Sequence, residues 1–273
     1  MSTDPLILTV APNGAYKQKT DHPAVPLSAA EIGAEARRCA DAGAAMLHLH
    51  VRTPEGRHLL DAQAYREATQ AVRAAVGQRL VVQVTTESGR IYSPPAQMAL
   101  VRELHPEAAS VALRELLPAD APQDEALAFL TWLAGSGILA QVILYDVEDL
   151  RRWQALRARG DIPEAPWFLL FVLGRYSAGQ RSQSADLLPF VQAHTGPEPW
   201  AVCAFGAQEN ACLLTAAALG GHARMGFENN LLLPDGSTAP DNAALVRLAA
   251  QGAPLIGRPL ASADQVRERF QHR

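Results

Sequence analysis

The sequence is poor in cysteine, with three in 273 residues. Cys39, Cys203 and Cys212 are odd in number, far apart and set in apolar stretches such as Ala201-Val202-Cys203-Ala204-Phe205, so they read as reduced core residues. Long apolar runs are missing too. The best candidate, Trp167 to Leu173, is followed by Gly174 and Arg175 and falls well short of the ~18 uninterrupted apolar residues of a bilayer span. Nor does one sign of charge dominate: 24 basic against 28 acidic side chains give a net charge of −4, which offers nucleic acid no basic face. Met1-Ser2-Thr3-Asp4-Pro5 carries no basic segment, and the apolar run behind it stops at Pro12, too short for a signal peptide. A cytoplasmic location is expected. No linker rich in Pro, Gly or Ser, no charge run and no shift of composition marks a boundary, so a single domain over 1–273 is expected.

What is present is a globular composition, 48% hydrophobic and 19% charged. A chain of this length buries about three quarters of its unfolded surface. Eight short apolar runs stand out: Leu6 to Pro12, Ala45 to Arg52, Leu80 to Glu87, Ala108 to Leu113, Leu139 to Asp146, Trp167 to Gly174, Trp200 to Phe205 and His222 to Glu228. Between neighbouring runs apolar residues recur three or four apart, as in Ile32, Ala36, Cys39, Ala40 and in Tyr65, Ala68, Val72, Val76. Ser28 with Glu31 marks a helix start, Ser93-Pro94 another, and Gly43, Gly77 and Gly220 stand where helices stop. Ser262 with Gln265 starts one last helix. Eight βα units predict an α/β fold, a single (β/α)8 barrel with an extra C-terminal helix, with a doubly wound open sheet as the alternative.

Such barrels carry their chemistry at the carboxyl ends of the strands. Polar residues gather there: Asn13; His48, His50 and Arg52; Thr85, Thr86 and Glu87; Arg114 and Glu115; Tyr145 and Asp146; Glu228. Strand side chains alternate, so Met46, His48, His50 and Arg52 share one face, as do His222, Arg224, Gly226 and Glu228 of the last run. The second and last strands flank the first in a closed barrel, so His48, His50 and Glu228 can converge. Two imidazoles and a carboxylate form a catalytic zinc set with an open position. Hydrogen-bonded core histidines are the competing reading. Asn13, Tyr16 and Thr86 are candidates for substrate contact. Lys17, Lys19 and His22 could meet an anion or be solvated loop groups, and Gly174 to Gly179 could wrap a phosphate. His58, His105, His194 and His272 read as surface residues.

Val10-Ala11-Pro12-Asn13-Gly14-Ala15, Ala44-Ala45-Met46-Leu47-His48-Leu49-His50-Val51-Arg52 and Gly220-Gly221-His222-Ala223-Arg224-Met225-Gly226-Phe227-Glu228-Asn229-Asn230-Leu231 resemble the β-keto acid cleavage enzyme family, essentially end to end. The resemblance implies a (β/α)8 barrel with Zn2+ on His48, His50 and Glu228. It implies a reaction of a β-keto acid with acetyl-CoA to give acetoacetate and a new acyl-CoA. It also carries over Arg224 as an electrostatic catalytic residue, Thr85 and Ser110 as hydroxyl groups in the site, and a homotetramer.

Two positions depart from the family pattern. Asn229 stands where an aspartate with a proposed acid/base role follows the glutamate ligand, and Tyr16, then Lys17, stand where members with amino-substituted substrates have an acidic residue. A neutral amide takes no proton. Glu87, on the face of Gln83 and Thr85, is the expected replacement base, unless it pairs with Arg90 or another rim arginine. Two other functions compete. A zinc hydrolase of the amidohydrolase type would have its His-x-His pair on the first strand and further histidines on the fifth and sixth, where Leu139 to Asp146 and Trp167 to Gly174 have none. A barrel that binds metal and ligand without turnover is the other.

Overall fold

The computed structural model describes residues 4–270; Met1 to Thr3 and Gln271 to Arg273 lie outside it, and with them the expectation for His272. The apolar runs form parallel strands wherever β-branched and apolar residues alternate between two buried faces. In chain order the elements are β1 (Leu8–Val10), α1 (Ala29–Asp41), β2 (Met46–Leu49), β3 (Val51–Arg52), β4 (His58–Leu59), α2 (Ala62–Val76), β5 (Val81–Thr85) and α3 (Pro94–Leu104). Then follow β6 (Ala108–Ala112), α4 (Leu113–Leu116), α5 (Asp124–Gly135), β7 (Leu139–Leu144), α6 (Val147–Arg159) and β8 (Phe168–Leu173). The last are α7 (Leu188–Ala193), β9 (Trp200–Ala204), α8 (Glu209–Ala218), β10 (His222–Met225), α9 (Asn242–Leu255) and α10 (Ala263–Phe270). Eight of these strands close a barrel in the order β1-β10-β9-β8-β7-β6-β5-β2, all pairs parallel. The expected α/β barrel with its C-terminal helix is thus observed.

Helix boundaries follow their local chemistry. The Ser28–Glu31 capping box opens α1, Pro94 takes the first turn of α3, and the Ser262 hydroxyl and Gln265 amide cap α10 reciprocally. Two cores result. One lies between barrel and helices and includes Leu47, Leu49, Val82, Val84, Ile32, Ala36, Tyr65 and Val72. The other fills the lower barrel with Met46, Val81, Leu139, Phe168, Leu170 and Cys203, and takes Val266 and Phe270 from α10. Phe270 stacks on Phe168 with centroids 4.7 Å apart, so α10 closes the amino-terminal end of the barrel and leaves the other end open. All three cysteines are buried and free. Among the described residues no helix is long and apolar enough to cross a membrane.

Three expectations need correction. The second run does not continue inside the barrel to Arg52. β2 stops at Leu49, and Val51–Arg52 pairs with His58–Leu59 in a separate antiparallel hairpin. The last run does not reach Glu228 as a strand, because β10 ends at Met225 and Gly226 turns the chain with φ +134°. Connections are also less uniform than one helix per unit, since α4 and α5 both separate β6 from β7.

Candidate active site

His48 projects inward from β2, and His50 stands one residue beyond its end. Their Nε2 atoms face each other at 3.1 Å, and Glu228 Oε2 approaches them at 3.6 and 3.3 Å respectively. Both imidazoles are buried. Glu228 Oε2 has no hydrogen-bond partner among the described residues. Zinc bonds of about 2.0–2.2 Å place neighbouring tetrahedral donors about 3.3 Å apart, so this trio fits a divalent metal. Tautomer chemistry agrees. Gln83 Nε2 donates to Gln141 Oε1 at 3.2 Å, which turns Gln83 Oε1 toward His48 Nδ1 at 2.8 Å. The His48 proton therefore sits on Nδ1, and Nε2 is a bare donor. Burial, with the Arg224 charge beside it, holds the His48 imidazole well below its ordinary pKa and keeps it neutral.

Arg224 lies in β10 and pairs with Glu228 Oε1. Burial alone would raise Glu228, yet Arg224 holds its carboxyl well below the usual carboxylate range. Arg224 Nε and Nη1 are buried with no partner among the described residues, which leaves the guanidinium free to meet developing negative charge. Two glycines make the geometry possible. A Cβ on Gly226 would clash with the Ala11 carbonyl, and one on Gly14 would run into the Glu228 side chain.

A cavity of roughly 170 Å³ opens above this group. Its inner wall has His48, Glu228, Arg224, Thr85 and Ser110, its middle Ala112, Ile143, Val172 and Phe205, and its mouth Tyr16, Lys17, Glu87 and Arg175. The Ser110 hydroxyl is buried without a partner among the described residues. Asn13 also lines the cavity and braces it, donating from Nδ2 to the Pro26 and His50 carbonyls at 2.9 and 3.1 Å. Glu87 sits between His50 and Arg175: Oε2 is 3.9 Å from His50 Nε2, and Oε1 is 3.5 Å from Arg175 Nη2. Its rim partner is thus Arg175, not Arg90. Burial raises the Glu87 carboxyl above its usual range. Arg175 is flanked by the Tyr16 and Phe205 rings, each 5.3 Å away.

Several proposed site residues lie elsewhere. Thr86 does not line the cavity: β5 ends at Thr85, and the Thr86 hydroxyl donates to the Ser110 carbonyl at 2.9 Å. Asn229 is buried but also absent from the lining, and neither of its amide atoms has a partner among the described residues. Arg52 serves the first loop, donating from Nε to the Gly14 carbonyl at 2.9 Å and from Nη1 to that of Gly56 at 2.7 Å. His222, on the face of Arg224, is at the opposite end of the barrel, where its Nδ1 accepts from the Ile7 N–H at 3.1 Å. His58 is buried in the hairpin, its Nε2 2.7 Å from the Glu87 carbonyl, whereas His105 is exposed and His194 half-buried. Lys19 pairs with Glu31 at 2.6 Å and His22 packs on Phe227, while Lys17 reaches the cavity. Arg114 and Glu115 organise the rim, the first on Asp146 and Asp149, the second on the Ser88 N–H. The Gly174–Gly179 stretch, expected as a candidate phosphate wrap, contributes Arg175 to the cavity, while Gln83, named in the sequence only for its face, was given no role there.

A buried His-His-carboxylate group under an open cavity places the chain among (β/α)8-barrel enzymes with a candidate metal centre at the carboxyl ends of the strands. A profile described as β-keto acid cleavage enzyme matches residues 5–271, and the chain belongs to that family. It is 30% identical over 273 residues to a 3-keto-5-aminohexanoate cleavage enzyme of Fusobacterium nucleatum, covering 96% of each chain. It is 28% identical to a 3-oxoadipate:acetyl-CoA acetyltransferase of Cupriavidus necator, covering 97% of this chain and 94% of that one. Among solved structures, apo ObcA shares the fold with TM-score 0.72 at 18% identity, covering 91% of this chain and 65% of ObcA.

Proposed function

We propose that the protein is a zinc enzyme that reacts a β-keto acid with acetyl-CoA to give acetoacetate and a new acyl-CoA. The observation that carries this reading is the convergence of His48, His50 and Glu228 beside a partly unpaired Arg224 in a chain of this family. His48, His50 and Glu228 would hold the ion, which supplies a Lewis acid for the ketone and carboxylate oxygens of the substrate. Glu87, at the cavity mouth, takes a proton from the carbon between those groups. That carbon forms a bond to the acetyl carbonyl carbon as the acetyl–sulfur bond breaks and coenzyme A leaves as a thiolate. The thiolate then bonds to the substrate's own acyl carbon, the bond from that carbon to the central one breaks, and the proton returns from Glu87 to the central carbon to give acetoacetate. Arg224 offsets the oxyanion charge that develops, and the Thr85 and Ser110 hydroxyls are within the same wall to orient the acids. Asn13 and Tyr16 contact substrate at the wall and mouth. The cavity suits a small acid, with the nucleotide of coenzyme A outside the barrel. The same reading has the chain act as a cytoplasmic homotetramer folded as one domain.

The mouth also bears on substrate choice. Tyr16, Lys17 and Arg175 line it; of the two acids there, Glu87 faces Arg175 at 3.5 Å and Asp21 accepts from the Gln18 N–H at 2.8 Å, so no acid is left over for a cation and the far end of the substrate is neutral or anionic. Specificity constants measured across a charge series of β-keto acids are expected to favour neutral or anionic members. A clear preference for 3-keto-5-aminohexanoate, whose far end is a cation, would reject this assignment.

A further inference from the structure

The turn that carries Glu228 lies outside the sheet, because β10 ends at Met225. Something else must fix it. Of its early peptide N–H groups, that of Glu228 donates to the Ala11 carbonyl, one residue past the end of β1, at 3.1 Å. The two before it are taken by side chains from the helical layer. The Gly226 N–H donates to Glu209 Oε1 at 3.1 Å, and the Phe227 N–H to Asn242 Oδ1 at 2.7 Å. Glu209 Oε2 then accepts from Asn230 Nδ2 at 3.3 Å, so one carboxylate grips both ends of the turn.

Glu209 is the first residue of α8 and is 1% exposed. No basic side chain among the described residues lies within ion-pair distance of it, and burial pushes its carboxyl up to about 8 while the Gly226 N–H and Asn230 amide draw it down. A buried acid without an ion-pair partner is destabilising in itself. Both of its neighbours are donors, so the turn uses each of its two oxygens as an acceptor. A glutamine could accept from Gly226 but would present an N–H to the Asn230 amide. Asn230 cannot turn round to meet it, because its Oδ1 accepts from the Leu232 N–H at 3.0 Å.

We infer that Glu209 is a positioning residue for Glu228: through Gly226 and Asn230 it sets the turn that aims the Glu228 carboxylate at His48 and His50. This rests on the metal-centre reading above. The loss of an outer partner of a metal ligand typically weakens binding about 10- to 100-fold. The test uses the full-length chain stripped of metal, titrated with Zn2+ against a chromophoric chelator and with Co2+ by visible absorption. Glu209→Gln is expected to weaken Zn2+ by about that factor and to alter the Co2+ spectrum, which a role in general stability would not move. Asn230→Ala, which leaves Glu209 in place, is expected to shift both in the same direction by less. A folded Glu209→Gln variant with Zn2+ affinity within about twofold of wild type and a superimposable Co2+ spectrum overturns the inference. Should Glu209→Gln not fold, Asn230→Ala decides it, and unchanged affinity and spectrum there overturn it equally. A wild-type chain that binds neither ion overturns the metal reading and this inference together, a result distinct from wild-type binding that the variants leave untouched.

Discussion

His48→Ala is expected to lose metal and activity together, with bound zinc falling from about one equivalent per chain to a small fraction of it. His48 is the most constrained of the three proposed ligands. It is buried, its Nδ1 is committed to Gln83, and its Nε2 is left facing His50 and Glu228. Two remaining donors leave a site open on one side, and Arg224 then competes for Glu228 without an ion to oppose it. Metal analysis of the purified variant, with circular dichroism to verify the barrel, checks this. Wild-type metal content in folded His48→Ala would show that the ligands are not these.

A second large effect is expected at Glu87. Glu87→Gln should keep its metal and substrate binding yet turn over about 10²- to 10⁴-fold more slowly, the usual contribution of a positioned base. The geometry makes this a clean substitution, because the backbone is held independently of the carboxylate. The Glu87 N–H donates to Thr85 Oγ1 at 3.0 Å, and its carbonyl lies 2.7 Å from His58 Nε2. An amide of the same shape would therefore occupy the same place without the ability to take a proton. Steady-state kinetics with parallel metal analysis separates the outcomes. Near wild-type turnover with metal intact would show that Glu87 serves Arg175 at the rim and nothing more.

The barrel was legible because its signals are local and repeated: apolar runs of strand length, helical periodicity between them, and caps such as Ser28–Glu31 that appear as expected. His48 was legible from alternation alone. Glu228 was reached through an incorrect extension of the strand, and its side chain arrives beside the histidines by way of Gly226, whose positive φ no pattern of alternation encodes. Arg52 and His58 were misplaced for one reason. The hairpin that joins them turns at Thr53-Pro54-Glu55-Gly56, a turn signal in the sequence, but nothing there shows that it brings His58 to the Glu87 carbonyl and Arg52 to that of Gly14. Thr86 fell away because the strand ends one residue earlier. Gln83 shared the face of Thr85 and could have been found by the same parity. Glu209 and Asn242 could not: they lie on the helices just before and just after β10, 17 and 15 residues from the N–H groups they accept from, and neither alternation nor helical periodicity shows which peptide such a side chain meets.

The central claim is that acetyl carbon passes from acetyl-CoA into acetoacetate, and the direct measurement is to follow that carbon. Zinc-loaded protein is incubated with a neutral or anionic β-keto acid and acetyl-CoA labelled with ¹³C in both acetyl carbons, and products are read by mass spectrometry and NMR. The account predicts doubly labelled acetoacetate, an unlabelled new acyl-CoA in equal amount, and neither product after treatment with a chelator. Free acetate or simple hydrolysis of the keto acid, with no label in acetoacetate, would contradict it.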